Sequence, residues 1–351
     1  MRAAVLREGA VEARVIDDPV PGPGQLLVRS LACGICASDI HFMDHLEAGV
    51  DDDSGMSTYD RDVDIVMGHE YCAEVVDYGP GTERRIPVGA RVSSLPVLST
   101  PTGRKIIGQN PESPGGFGEY LLLDEAMTRV AVSELPNEIV CIADAVSVGL
   151  SAASRTQVTT KEVPLVIGCG AIALSVIAQL KRLGVGPILA VDFVASRRET
   201  ALAMGADVVI DPAEVSPYQA WRDVAYGTSE ATRELMTVAG LPGCVVFECV
   251  GIPGVLDSII KGCERNTRIF SVGGPPEGDH LHTLTAKRKG INIQFGGGPS
   301  MQHWDEAFAA VGSGDLDVTP MLGRTVGLDG VAEALNASRD ANGPVRIVVV
   351  P

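Results

Sequence analysis

Apolar residues in this chain fall in short runs, and the rhythm of those runs changes part-way along. Through about the first 135 residues they are strand-length. Gln25–Leu31 and Ala73–Tyr78 alternate or bury, and turn chemistry at Pro19–Gly24, Gly79–Gly81 and Pro114–Gly116 separates such runs. From about residue 147 strands and helices take turns. A helical stretch, Ser147–Thr156, leads to the apolar strand Val163–Ile167, a glycine turn, a helix over Ala171–Leu183 and a strand at Pro187–Val191. Further strands follow at Val208–Ile210, Cys244–Cys249 and Arg268–Val272. This alternation is the signature of a doubly wound parallel sheet. The chain then returns to β plus helix and closes on Val345–Val350. The pattern predicts an α/β fold: a β-rich domain over 1–146 and 295–351, interrupted by an α/β domain over 147–294.

Length and composition narrow the class. The 351 residues suit two domains. With 45 acidic residues against 28 Lys and Arg, the net charge of −17 repels a phosphate backbone. That argues against nucleic acid and anionic membrane as partners. No apolar run reaches the roughly 18 residues of a membrane span. Met1–Glu8 reads as a strand without the apolar core of a signal peptide, so a cytoplasmic location is expected. The eight cysteines then stand in a reducing compartment, where spacing points to metal or catalysis rather than disulfides. Cys72, Cys141, Cys244 and Cys263, in apolar company, read as small buried residues.

Gly168-Cys169-Gly170-Ala171-Ile172-Ala173 follows a buried strand and opens a helix. Gly168 permits the tight turn, Gly170 lets the backbone approach a pyrophosphate, and Ala173 keeps helix and strand close. The helix start, with Ala171 and Ile172, offers free N–H groups to phosphate. Asp192 ends the next strand, where a carboxylate accepts bonds from both adenosine ribose hydroxyls. It would repel a 2′-phosphate and so favours NAD over NADP; Arg197 and Arg198 nearby act in the other direction.

Two segments of the β-rich part carry further chemistry: Cys33-Gly34-Ile35-Cys36-Ala37-Ser38-Asp39-Ile40-His41 and Gly68-His69-Glu70, with Asp144 at the domain junction. Cys33-x-x-Cys36 has no second Cys-x-x-Cys to complete a four-thiolate site. One thiolate, one imidazole and one carboxylate, with a position left open, are what catalytic zinc uses.

These stretches, together with Gly115–Tyr120, Phe247–Gly251 and the closing strand with Arg346, resemble zinc-dependent alcohol dehydrogenases of the medium-chain dehydrogenase/reductase superfamily over nearly the whole chain. The resemblance implies a GroES-like catalytic domain interrupted by a Rossmann NAD-binding domain. It implies Cys36, His69 and Asp144 as ligands of one catalytic zinc, with Glu70 beside the metal and able to ligate it. Ser38 matches the hydroxyl that takes the alcohol proton and His41 the outer end of the relay. Asp192 and Arg197 match ribose and adenine-side contacts, Val250 and Val272 the nicotinamide side, and Arg346 a pyrophosphate contact. Phe295 joins the cofactor-binding set and, with Leu95, Pro96, Leu121 and Ser147, is a candidate pocket residue. Asp39 reads as a structural tie beneath the site. His45, His280, His282 and His303 have no such context.

Two departures stand out. No cysteine lies between Val92 and Cys141, so the structural zinc of many relatives is expected to be missing, and Ser99–Pro114 replaces its loop. The interval from Cys36 to His69 is also long. Its acidic segment, Glu47–Asp62, is either a lid with Met56 and Tyr59 as contacts or a solvated loop. The reading is an NAD-dependent zinc alcohol dehydrogenase, a homodimer or homotetramer, that interconverts a primary or secondary alcohol and its carbonyl. The few charges at pocket positions favour an apolar or aromatic substrate. Its rivals are a zinc-independent reductase of activated double bonds, which needs no such ligands, and a non-catalytic NAD sensor, which needs no proton relay.

Overall fold

The alternating runs of the first third become sheet. The computed structural model describes residues 1–48, 54–58, 60–131, 134–227, 244–275 and 278–351. The chain divides into two units: Met1–Asp144 with Trp304–Gly314 and Leu322–Pro351, and Ala145–His303 with Asp315–Met321. The sequence reading puts the boundaries at 146/147 and 294/295. The observed division falls two residues earlier on the way in, and on the way out the chain passes between the units more than once.

The first unit opens with β1 (Arg2–Arg7), β2 (Ala10–Val15), β3 (Gln25–Gly34), β4 (Ile65–Val66) and β5 (Glu70–Tyr78). It continues with β6 (Arg91–Ser94), β7 (Val97–Thr100), β8 (Gly103–Ile106), β9 (Tyr120–Asp124) and β10 (Thr128–Val130). The second unit holds β11 (Pro164–Ile167), β12 (Leu189–Val191), β13 (Val208–Ile210), β14 (Val245–Glu248), β15 (Arg268–Ser271) and β16 (Asn292–Phe295). Finally β17 (Leu322–Val326) and β18 (Arg346–Val349) return to the first.

In the first unit the main sheet runs β10-β6-β5-β3-β18-β17, with β9 also on β3. β3 continues three residues past the predicted end at Leu31, and its antiparallel register sets Cys33 opposite Tyr71 and Gly34 opposite Glu70. β18 lies on the other side, with Val348 opposite Gly34. Leu26, Val28, Tyr71, Phe117, Leu121 and Ile347 belong to the buried cluster beneath. The two insertions meet. Thr58 N–H donates to Gln109 O at 2.9 Å, Ile106 N–H to Met56 O at 2.9 Å, and Lys105 Nζ to Gly55 O at 2.8 Å. Tyr59 and residues 49–53 of the suggested lid lie outside the described residues.

The second unit's sheet is parallel throughout, in the order β13-β12-β11-β14-β15-β16. This is the doubly wound order, with its switch point between β11 and β14. Leu165, Leu189, Val246, Ile259 and Ile269 are in its core. Asn137–Thr156 is long and apolar enough to cross a membrane, but 78% of its window is buried inside the protein, as in a core helix. Cys72, Cys141, Cys244 and Cys263 are buried, as expected; Cys36 and Cys249 are partly exposed.

Candidate metal centre and dinucleotide-binding turn

The β3–β5 register builds the first site. Cys36 stands two residues beyond Gly34, at the start of helix Ala37–Ala48, and His69 stands one residue before Glu70 on the adjacent strand. Cys36 Sγ, a ring nitrogen of His69 and a carboxylate oxygen of Glu70 therefore lie within 4.8 Å of one another. Gly34 is what admits the carboxylate, because a Cβ there would sit 2.6 Å from Glu70 Oε2.

Two of the three groups are held from behind by one carboxylate. Asp39 is 1% exposed; its Oδ2 accepts from Cys36 N–H at 2.8 Å, and its Oδ1 lies 3.2 Å from His69 Nδ1. That leaves Nε2 as the ring nitrogen facing the cluster, where Ser38 Oγ approaches it at 3.0 Å. A carboxylate behind a ligating imidazole fixes its ring orientation and tautomer. Burial opposes a charge on His69, but Asp39 outweighs it and holds the ring well above its ordinary pKa. Glu70 Oε2 is 3.0 Å from Arg346 Nη1, yet neither carboxylate oxygen accepts a well-directed hydrogen bond. A buried carboxylate with spare acceptors beside a thiolate and an imidazole fits a divalent cation.

Asp144 is half-buried in the first turn of helix Ala143–Thr156 and is not one of the three converging groups. Burial pushes its carboxyl up to about 7, against the opposing pull of His69. Arg346 is 2% exposed, and its Nη1 also donates to Ile35 O at 2.8 Å. Burial disfavours its charge, while Glu70 and Cys36 hold the guanidinium above its usual pKa. His41, three residues after Ser38 on the same helix, is exposed. Neighbouring positions three apart share a helix face.

The second site lies in the other unit. Gly168 has φ +90°, and its N–H donates to Val191 O at 2.8 Å. Gly170 caps helix Ala171–Arg182 without a side-chain cap, so the first-turn N–H groups of Ala171 and Ile172 are open to an anion. Asp192 Oδ2 accepts from Cys169 N–H and Oδ1 from Val194 N–H, both at 2.8 Å. Arg198 is not idle beside it. Its Nη1 donates to Asp192 O at 2.7 Å and Phe193 O at 2.9 Å, and pairs with Asp211 at 3.0 Å. Arg197 Nε is buried and has no hydrogen bond. Val250 and Phe295 are exposed, at 39% and 59%. This turn, its open helix start and its strand-end acid fit a dinucleotide.

Two family models match the chain: Alcohol dehydrogenase GroES-like domain over residues 22–136, and Zinc-binding dehydrogenase over residues 171–312. The chain belongs to the zinc-dependent alcohol dehydrogenases of the medium-chain dehydrogenase/reductase superfamily. It is an oxidoreductase acting on CH–OH groups, with zinc and NAD(P) as its cofactors. (R,R)-butanediol dehydrogenase of Bacillus subtilis (strain 168) is 28% identical over 254 residues, 70% of this chain and 69% of its own length. Sorbitol dehydrogenase of Gallus gallus is 24% identical over 97% of this chain and 94% of its own. A zinc-binding dehydrogenase from Sinorhizobium meliloti 1021, solved bound to NADP, shares the fold with a TM-score of 0.82 at 21% identity, over 100% of this chain and 99% of its own.

Some of the dehydrogenase's functional geometry is missing from the sequence reading. Nothing in the sequence assigns Arg198, on helix Ala195–Ala203, to Asp211 after β13, or Glu70 on β5 to Arg346 on β18, because each contact joins elements separate in the sequence. Leu121, a candidate pocket residue, is fully buried in the core. A cavity of about 470 Å³ lined by Arg129, Val140, Asp305, Phe308 and Val311 contains none of the candidate residues.

Proposed function

We propose that this dehydrogenase oxidises a small secondary alcohol bearing a neighbouring hydroxyl, or reduces the corresponding hydroxy ketone, with one zinc per chain and with NAD preferred. The observation that carries the zinc chemistry is the convergence of Cys36, His69 and Glu70 within 4.8 Å. Asp144 is a further carboxylate acting on the same cluster. A zinc ion held there would supply Lewis acidity toward the substrate oxygen, and a nicotinamide would accept or donate the hydride. The chain's own residues do the rest. Ser38 takes the alcohol proton, and exposed His41 passes it to solvent. Asp39 keeps the His69 ring turned, and Arg346 balances the Glu70 charge.

In the other unit Gly168, Gly170, Ala171 and Ile172 hold the pyrophosphate. Asp192 takes the ribose hydroxyls, Arg197 flanks the adenine side, and Val250, Val272 and Phe295 line the nicotinamide side. The preference for NAD rests on Asp192, and on Arg198 being turned onto strand-end carbonyls and neutralised by Asp211. The butanediol and sorbitol of the two relatives both carry adjacent hydroxyls. That favours a diol over the apolar or aromatic substrate expected from the sequence. The lack of any cysteine between Val92 and Cys141 supports one zinc rather than two. Eight free thiols suit the reducing cytoplasm. A homo-oligomer, dimer or tetramer, is part of the same reading.

Metal analysis of untagged protein purified without chelator is the test, followed by an alcohol panel with NAD. About one zinc per chain, with 2,3-butanediol or sorbitol turned over better than hexan-2-ol or benzyl alcohol, is the expected result. Apolar alcohols winning by about tenfold in kcat/KM would overturn the substrate class. Absent zinc with bound NAD would favour the double-bond reductase.

A further inference from the structure

Ligands of an open parallel sheet bind beyond the C-terminal strand ends at the switch point. On one side of that point stand the Gly168–Gly170 turn and Asp192, after β11 and β12. On the other stand the loops after β14 and β15. Both are tied by one side chain that the proposed chemistry does not use. Glu248, the last residue of β14, is 2% exposed. Its Oε1 accepts from Val250 N–H and Gly251 N–H, both at 2.8 Å, and its Oε2 from Ser271 Oγ at 2.7 Å. Its carbonyl accepts from Val272 N–H at 2.9 Å.

The two loops touch backbone to backbone. A Cβ on Gly273 would fall 2.4 Å from Gly251 Cα, and one on Gly251 would fall 3.1 Å from Gly273 Cα. The first loop also abuts the phosphate turn, since a Cβ on Gly168 would lie 3.0 Å from Val250 Cγ2. Burying a carboxylate is expensive unless donors surround it, and here both oxygens are served. The adenosine half of a dinucleotide runs from the turn toward Asp192, so the other half crosses the switch point onto these two loops.

We infer that Glu248 is a positioning residue for the nicotinamide half of the dinucleotide: it fixes the 249–251 and 271–273 loops as one surface. This rests on the dinucleotide reading proposed above. The test is calorimetric binding of NAD and of 5′-ADP, which lacks the nicotinamide half, to wild type, Glu248→Gln and Glu248→Ala. NAD should bind about tenfold more weakly to Glu248→Ala and about threefold more weakly to Glu248→Gln, whose amide serves the two N–H groups but not Ser271 in the same way. The 5′-ADP affinity should stay within about twofold of wild type. Parallel loss of NAD and 5′-ADP would reduce Glu248 to a structural role and overturn the inference, as would unchanged NAD binding. Ser271→Ala removes one bond from the clamp without touching β14; it should weaken NAD alone, and an unchanged NAD affinity there also counts against the clamp. Wild type that binds neither ligand would overturn the dinucleotide reading itself.

Discussion

Cys36 is the only soft ligand among the three groups that converge in the first unit, and zinc discriminates sharply between a thiolate and a hydroxyl. Cys36→Ser should therefore drop the zinc content from about one per chain to below about a tenth, while 5′-ADP still binds within about twofold of wild type. Full zinc occupancy in the serine variant would show that the ligands are elsewhere. Selectivity between cofactors is also decided by single side chains. Asp192→Ser removes the carboxylate that repels a 2′-phosphate, but leaves Arg198 bound to Asp211 at 3.0 Å. The single change should move the ratio of 2′,5′-ADP to 5′-ADP affinity about tenfold. Adding Asp211→Asn releases a guanidinium and should move it about threefold further. No movement in either variant would mean Asp192 does not face the ribose.

Pairs of elements show which contacts a sequence discloses. Asp257, on helix Val255–Gly262, joins that helix to the start of helix Thr283–Lys289. Lys261 Nζ lies 2.6 Å away, and His282 donates its N–H at 2.7 Å; these hold the carboxyl down at about 2. Its folded pKa is below the unfolded value of about 3.9, so the tie stabilises above that value and is lost as pH falls through 2. The gap in thermal midpoint between wild type and Asp257→Asn should be full at about pH 5 and close toward pH 2. A constant gap would show that the carboxylate charge is not its source. The glycine turn was legible because strand, turn, helix start and acid are ordered locally by the chain. Cys36, Ser38 and His41 were legible as a motif around one helix start. What escaped was pairing at a distance. Glu70 meets Arg346 only because β5 and β18 flank β3, and residues 55–58 meet 105–109 only in the folded unit. Hydrophobic spacing reports which face is buried but not which distant strand covers it.

At the scale of the whole chain, the two units have separate cores and the two proposed sites lie in different units, so each ligand should act on its own unit's stability. The chain has two tryptophans, and each unit holds one. Trp221 is in the second, its Nε1 donating to Val163 O at 2.7 Å; Trp304 is fully buried in the first, stacked on Phe308. Trp304→Phe leaves Trp221 as the reporter of the second unit, and Trp221→Phe leaves Trp304 as the reporter of the first. A ligand at about a hundred times its Kd adds ~2.7 kcal/mol to the state that binds it. For units of this size that is a rise of about 5–10 °C in midpoint. Saturating 5′-ADP should raise the transition seen by Trp221 by that amount and move the one seen by Trp304 less. Stripping zinc should lower the Trp304 transition and leave the Trp221 transition nearly in place. If both reporters shift together with either ligand, the units unfold as one cooperative body. If 5′-ADP shifts Trp304 but not Trp221, the nucleotide does not bind at the Gly168 turn.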